Sequence, residues 1–169
     1  MEKQRLLVVV RHAKAEQFAA SDVERVLSDR GREDGRALGE WFAAQGITPD
    51  VAYVSYAART RETWDVVADG AGWGLAPQID GNLYGTDETG VLELVHSTPD
   101  DASTVVVVGH NPTMAMLVQL LDDGEGQASG EIELGSFPTS AAAVFTVDGT
   151  WDDVVPVGCR LVAFHVGRG

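Results

Sequence analysis

The stretch VVVRHAKAE, residues 8–16, carries three valines straight into Arg11 and His12. With Leu6 and Leu7 ahead of it, the run from residue 5 to 10 is almost unbroken apolar. A strand covered on both faces reads this way, without the polar alternation of a one-sided strand. VVVVGHNPT, residues 105–113, repeats the pattern and delivers His110. DVAYVS (50–55) is a third such segment. SAAAVFTV (140–147) and RLVAFHV (160–166) follow late, and a short strand is expected near 77–80.

Helical patterns lie between these runs. Ser28 can cap a helix over about 31–44, whose apolar face is Leu38, Trp41 and Phe42. Gly46 and Pro49 end it. A second helix is expected over 57–68 with Trp64 and Val67 inward, and a third over 89–96. A fourth starts at Pro112, taken as a first-turn residue. Gly31, Gly35 and Gly39 recur every four residues, which suggests close packing of the first helix on the sheet. Strand and helix alternate over the first two-thirds. The fold class is therefore α/β: a three-layer sandwich with a mostly parallel central sheet of five or six strands and helices on both faces. The late pair of strands, joined through VDGTWDD, predicts one antiparallel strand in the C-terminal part. The polar segment 121–131 reads as a solvated loop, since its acids lack the alternation of a calcium loop.

Bulk properties narrow the function classes. The chain has 169 residues, 44% of them hydrophobic, and a net charge of -14. That charge argues against nucleic acid or an anionic membrane as partner. No apolar run is long enough to span a bilayer. A single cysteine, Cys159, fits a free thiol in a reducing cytoplasm, so a cytoplasmic location is expected. No apolar stripe demands a dimer, and a monomer is the expectation.

In a parallel sheet the carboxyl ends of the strands share one edge, where ligands bind. Arg11 and His12 follow the first strand, Ser55 ends the second with Arg59 just beyond it, and His110 follows the fourth. Two arginine forks, two imidazoles and the amino ends of two helices would make a pocket for a dianion. A metal site is disfavoured, because zinc would want a third ligand and two arginines would repel the ion. His96 and His165 lack this context and read as a helix-end residue and a strand residue.

The order strand-Arg11-His12, then SYAARTRET (55–63), then Gly109-His110-Asn111-Pro112 resembles the histidine phosphatase superfamily. RHAKAE (11–16), LSDRGR (27–32) and LYGTD (83–87) look most like its short branch, the SixA-type phosphohistidine phosphatases. Ala13, Tyr56, Glu62 and Val26 stand where the family often has Gly, Pro, Gln and Pro. The resemblance implies a single domain over 1–169. About twenty residues separate Leu83 from Val105, too few for a lid insertion. It implies that His12 is the nucleophile of a metal-independent phosphatase, with Arg11, Arg59 and His110 holding the phosphoryl oxygens and Ser55 and Asn111 contributing to substrate binding. No cofactor is implied. Asp22, Glu16 and Glu88 are candidate general acids, with Asp87 beside them, and spacing does not choose among them. Asp22 and Arg25 also suit a plain salt bridge. The expected substrate is a phosphoresidue on a protein, phosphohistidine first. A broad small-molecule phosphomonoesterase and a non-catalytic phosphate-binding module are the alternatives.

Overall fold

The computed structural model describes residues 4–133 and 136–169. Among the described residues, six strands form one sheet: β1 (Arg5–Arg11), β2 (Val51–Ser55), β3 (Gln78–Asp80), β4 (Thr104–Gly109), β5 (Ala141–Val147) and β6 (Arg160–Val166). Their order is β3-β2-β4-β1-β5-β6. β1, β4, β2 and β3 run parallel, as alternating strands and helices require. β5 is antiparallel to β1, and β6 is antiparallel to β5. One strand of the six therefore opposes the rest.

Four α-helices of the described residues cover the sheet: α1 (Asp29–Gln45), α2 (Ala58–Ala71), α3 (Glu88–His96) and α4 (Thr113–Leu121). The valine runs explain why both faces are covered. In β1, Val8 and Val10 join Leu38, Phe42, Trp64 and Val67 of α1 and α2. Leu7 and Val9 point the other way and join Val91, Val95, Met114 and Leu117 of α3 and α4. Period-two alternation thus feeds two separate cores from one apolar strand. Each fully buried side chain of this size contributes about 1.5–3 kcal/mol over its exposed state.

The helix boundaries follow local chemistry. Ser28 Oγ accepts the Gly31 N–H and caps α1, and Gly46 ends it with φ 70°. Gly72 ends α2 in the same left-handed conformation, at φ 74°, so α2 runs three residues past its expected end. Pro112 sits at the N-cap of α4 rather than in its first turn. The spaced glycines of α1 have a different cause from the one expected. A Cβ at Gly39 would run into the Val67 carbonyl, and one at Gly35 would lie near Val66 and 3.8 Å from the Ala13 Cβ. Gly70 of α2 meets the Arg36 carbonyl in return. Gly39 and Gly70 let two helix backbones touch, Gly35 makes room for the Val66 side chain, and Gly31 makes room for the Lys14 carbonyl. None of them serves helix-to-sheet packing.

Among the described residues, no helix is long and apolar enough to cross a membrane.

Candidate active site

The sheet register fixes the site. Val10 pairs with Val108, and Val54 pairs with the same residue from the other side. The next residues, Arg11, Gly109 and Ser55, therefore end three neighbouring strands in one row. The His12 N–H continues the ladder by donating to the Gly109 carbonyl at 3.1 Å. His12 and His110 leave that edge side by side, with ring centroids 5.5 Å apart. Both are only 8% exposed, so neither is a solvated loop histidine.

The His12 ring is held by its own turn. Nδ1 lies 2.7 Å from the Ala13 carbonyl oxygen. A carbonyl only accepts, so Nδ1 carries the proton and Nε2 keeps its lone pair. The turn is pinned in place: the Ala13 N–H donates to Thr63 Oγ1 at 2.9 Å, and Thr63 donates to the Arg59 carbonyl at 2.7 Å. The His12 carbonyl accepts the Ser140 N–H. Burial pushes the His12 pKa down to about 3, against the pull of the Ala13 bond. His110, Arg11 and Arg59 add smaller repulsions. The neutral, nucleophilic form follows mainly from desolvation, with the arginine charges a smaller cause.

Arg59 is the second residue of α2 and is 6% exposed. Its Nη1 donates to the Asp22 carbonyl at 2.9 Å and its Nη2 to the Asp22 carboxylate at 3.1 Å. The guanidinium also lies over the Tyr84 ring, 5.8 Å from its centroid. Arg11 donates through Nη1 to the Phe137 carbonyl at 3.2 Å. Burial and the nearby charge of Arg59 lower the Arg11 pKa, a sign that the two cations share one neighbourhood. Arg11 Nε, Arg59 Nε and His110 Nδ1 are all buried without a protein partner among the described residues. The two guanidinium N–H groups are costly to bury unless an acceptor reaches them. An oxyanion would supply such acceptors.

His110 Nε2 lies 2.8 Å from Ser55 Oγ. Burial and Arg59 lower its pKa to about 4, so this imidazole is also neutral at ordinary pH. Ser55 is fully buried behind it. Asn111 donates to the Phe137 carbonyl at 2.7 Å and accepts the Ala115 N–H at 3.2 Å. Both ends of its amide thus hold backbone, tying the start of α4 to the carbonyl that Arg11 also uses.

The candidate acids separate. Asp22 joins the cluster, accepting from Arg59, from Arg25 Nε at 3.0 Å and from the Tyr84 hydroxyl. Glu16 is exposed and Glu88 half-buried in the first turn of α3. Among the described residues, neither side chain bonds to a residue of the site. Asp87 caps α3 through the Gly90 N–H. No three His, Cys, Asp or Glu side chains gather as a metal cluster among the described residues.

Sequence reasoning left Tyr84 and Thr63 without a role. Tyr84 stands edge-on to His110, 5.4 Å between centroids, and edge-on to Tyr56. Its position within LYGTD was the available signal. Thr63 closes the SYAARTRET motif one helical turn beyond Arg59. Of the other two, His96 ends α3 and bonds the Val154 carbonyl, and His165 stacks on Trp41.

Known proteins share this arrangement of elements. The sequence model of the Histidine phosphatase superfamily (branch 1) matches residues 7–87. An uncharacterised protein of Mycobacterium tuberculosis is 35% identical over 162 residues, covering 94% of this chain and all of its own length. The phosphohistidine phosphatase SixA of Escherichia coli is 28% identical over 142 residues, 83% of this chain and 84% of that one. A solved structure from Nakamurella multipartitia, assigned by name to phosphohistidine phosphatase SixA, superposes with a TM-score of 0.84 at 31% identity. It covers 98% of both chains. Fold, motif order and similarity along nearly the full length agree, and the chain belongs to the histidine phosphatase superfamily, beside its SixA-type members.

Proposed function

We propose that this protein is a phosphatase that works through a phosphohistidine on His12, with a phosphohistidine side chain of another protein as its preferred substrate. One observation carries the reading: His12 is neutral, buried and locked with its Nε2 lone pair free, beside two guanidinium groups and a second imidazole. Nε2 attacks phosphorus in line as the bond to the leaving atom breaks. Arg11, Arg59 and His110 stabilise the charge on the transferring oxygens. Water then attacks the phospho-His12 intermediate, the P–Nε2 bond breaks, and inorganic phosphate leaves.

The leaving group favours phosphohistidine, a phosphoramidate, over phosphoesters. Expulsion of an alkoxide needs a proton donor with its pKa near the working pH. Asp22, the one acid bonded into the cluster among the described residues, has its pKa lowered to about 2 and has no proton to give at neutral pH. An imidazole protonated on its other nitrogen leaves as a neutral ring without such help. The similarity to the SixA-type proteins supports the same substrate class. The short segment between Leu83 and Val105, with one nine-residue helix in it, supports an uncovered site that admits a phosphate displayed on a protein.

The test is rapid labelling with a phosphorylated histidine protein, quenched in alkaline detergent. Wild type is expected to trap an acid-labile, alkali-stable phosphate. His12→Ala is expected to trap none and to lose at least about a thousand-fold in kcat. Equal labelling of both proteins refutes the nucleophile. Higher kcat/KM on sugar phosphates than on the phosphohistidine protein refutes the substrate class and favours a small-molecule phosphomonoesterase.

A further inference from the structure

Ser55 ends β2 and is fully buried. Its oxygen faces His110 Nε2 at 2.8 Å and also accepts a long bond, 3.5 Å, from the Ala57 N–H. The Ala57 bond uses a lone pair and leaves the hydroxyl proton free. Among the described residues, the acceptor recorded for that proton is His110 Nε2. On the far side of the same ring, Nδ1 is buried with no protein partner among the described residues. A neutral imidazole has one N–H and one lone pair, and the bond made at one nitrogen decides what the other offers.

We propose that Ser55 is a positioning residue that sets the tautomer of His110: its hydroxyl donates to Nε2, which leaves Nδ1 protonated as a donor to a phosphoryl oxygen. The reverse arrangement would leave a lone pair on Nδ1 with no donor to meet it, and that lone pair would repel anionic oxygen. The two histidines then hold the same tautomer for opposite ends. His12 gives up its Nδ1 proton to the Ala13 carbonyl bond and presents a lone pair. His110 has its lone pair occupied by Ser55 and presents an N–H. This also revises the sequence-based role of Ser55, which acts on phosphate through His110 instead of touching it. The phosphate contact rests on the phosphatase reading above; the tautomer does not.

Long-range proton–nitrogen correlation spectra of the ¹⁵N-labelled full chain read the tautomer directly. The chain has four histidines, and His110→Gln assigns the relevant signal. The expected result at pH 7.5 is Nδ1–H for His110 in wild type, loss of that preference in Ser55→Ala, and its return in Ser55→Thr. Inorganic tungstate, used as the oxyanion probe, should move the Nδ1 proton downfield in wild type. An Nε2–H tautomer in wild type overturns the proposal, and this spectrum decides even if Ser55→Ala does not fold. In turnover of phosphohistidine protein, Ser55→Ala should lose roughly ten- to a hundred-fold in kcat/KM, and Ser55→Thr should recover most of it. Undiminished Ser55→Ala activity overturns the positioning role. Absence of turnover in wild type refutes the phosphatase reading and leaves the tautomer to the spectra.

Discussion

Asp22 shows how a residue's partners decide its role. Its carboxylate is half-exposed, yet three donors converge on it: the Tyr84 hydroxyl, Arg25 and Arg59. The Tyr84 bond leads the causes that hold its pKa at about 2. A general acid must keep its proton at the working pH, and Asp22 is ionised throughout the neutral range. What it does hold is Arg59, through both its carbonyl and its carboxylate. The expected phenotype of Asp22→Asn is that of a loosened arginine. KM for a phosphorylated substrate rises, and kcat/KM falls by about ten-fold, in line with a weakened charge-assisted bond. The alkaline limb of the pH profile stays where it is in wild type, because Asp22 has no proton to lose there. An alkaline limb that is present in wild type and disappears in Asp22→Asn would show that this carboxyl carries a catalytic proton after all.

At the scale of elements, the contact between α1 and α2 governs the site, because α2 carries both Arg59 and Thr63. Gly39 allows that contact: a Cβ there would overlap the Val67 carbonyl and lie 2.9 Å from the Ala71 nitrogen. Helix propensity alone favours Gly39→Ala by about 1 kcal/mol. Backbone atoms cannot give way as a flexible side chain can, so the clash wins. Urea unfolding should show Gly39→Ala destabilised by roughly 2–4 kcal/mol, while Glu40→Ala on the exposed side stays within about 0.5 kcal/mol. A neutral Gly39→Ala would mean that the helices do not meet there. The same helices show what a sequence discloses. Ser28 and Gly46 marked the ends of α1 because capping is local. The valine runs marked β1 and β4 because burial on both faces removes alternation. The glycine spacing announced a close approach but not what approaches, since a missing Cβ does not name its partner. The contacts that Tyr84 and Ser55 make stayed silent for the same reason, although Ser55 itself stood out as a site residue. Their partners lie 62 and 55 residues away, and nothing in the neighbouring residues encodes a contact across that span.

For the whole molecule, two buried neutral histidines link the chemistry to stability. His12 and His110 have pKa values of about 3 and 4 in the fold, with burial the first cause of each. In the unfolded chain both sit near 6.5. Between those limits the unfolded state binds protons that the native state refuses, so stability rises with pH. The histidine contribution is complete above about pH 6.5 and is lost as pH falls towards 4 and 3. Asp22 acts in a lower window. Its pKa drops from 3.8 to about 2 on folding, so its share is lost only as pH falls below about 4. The surface complicates the raw curve, because protonating carboxylates on a chain of net charge -14 relieves self-repulsion and works in the opposite direction. Comparison of variants at each pH cancels that background. Urea midpoints measured from pH 7 to 4.5 at fixed ionic strength should fall in wild type relative to His12→Asn, which has no imidazole to charge at that position. Asp22→Asn should run parallel to wild type over the same range and diverge only below about pH 4. Parallel curves for wild type and His12→Asn down to pH 4.5 would mean that His12 titrates normally in the fold, and the neutral nucleophile would have to be abandoned with it.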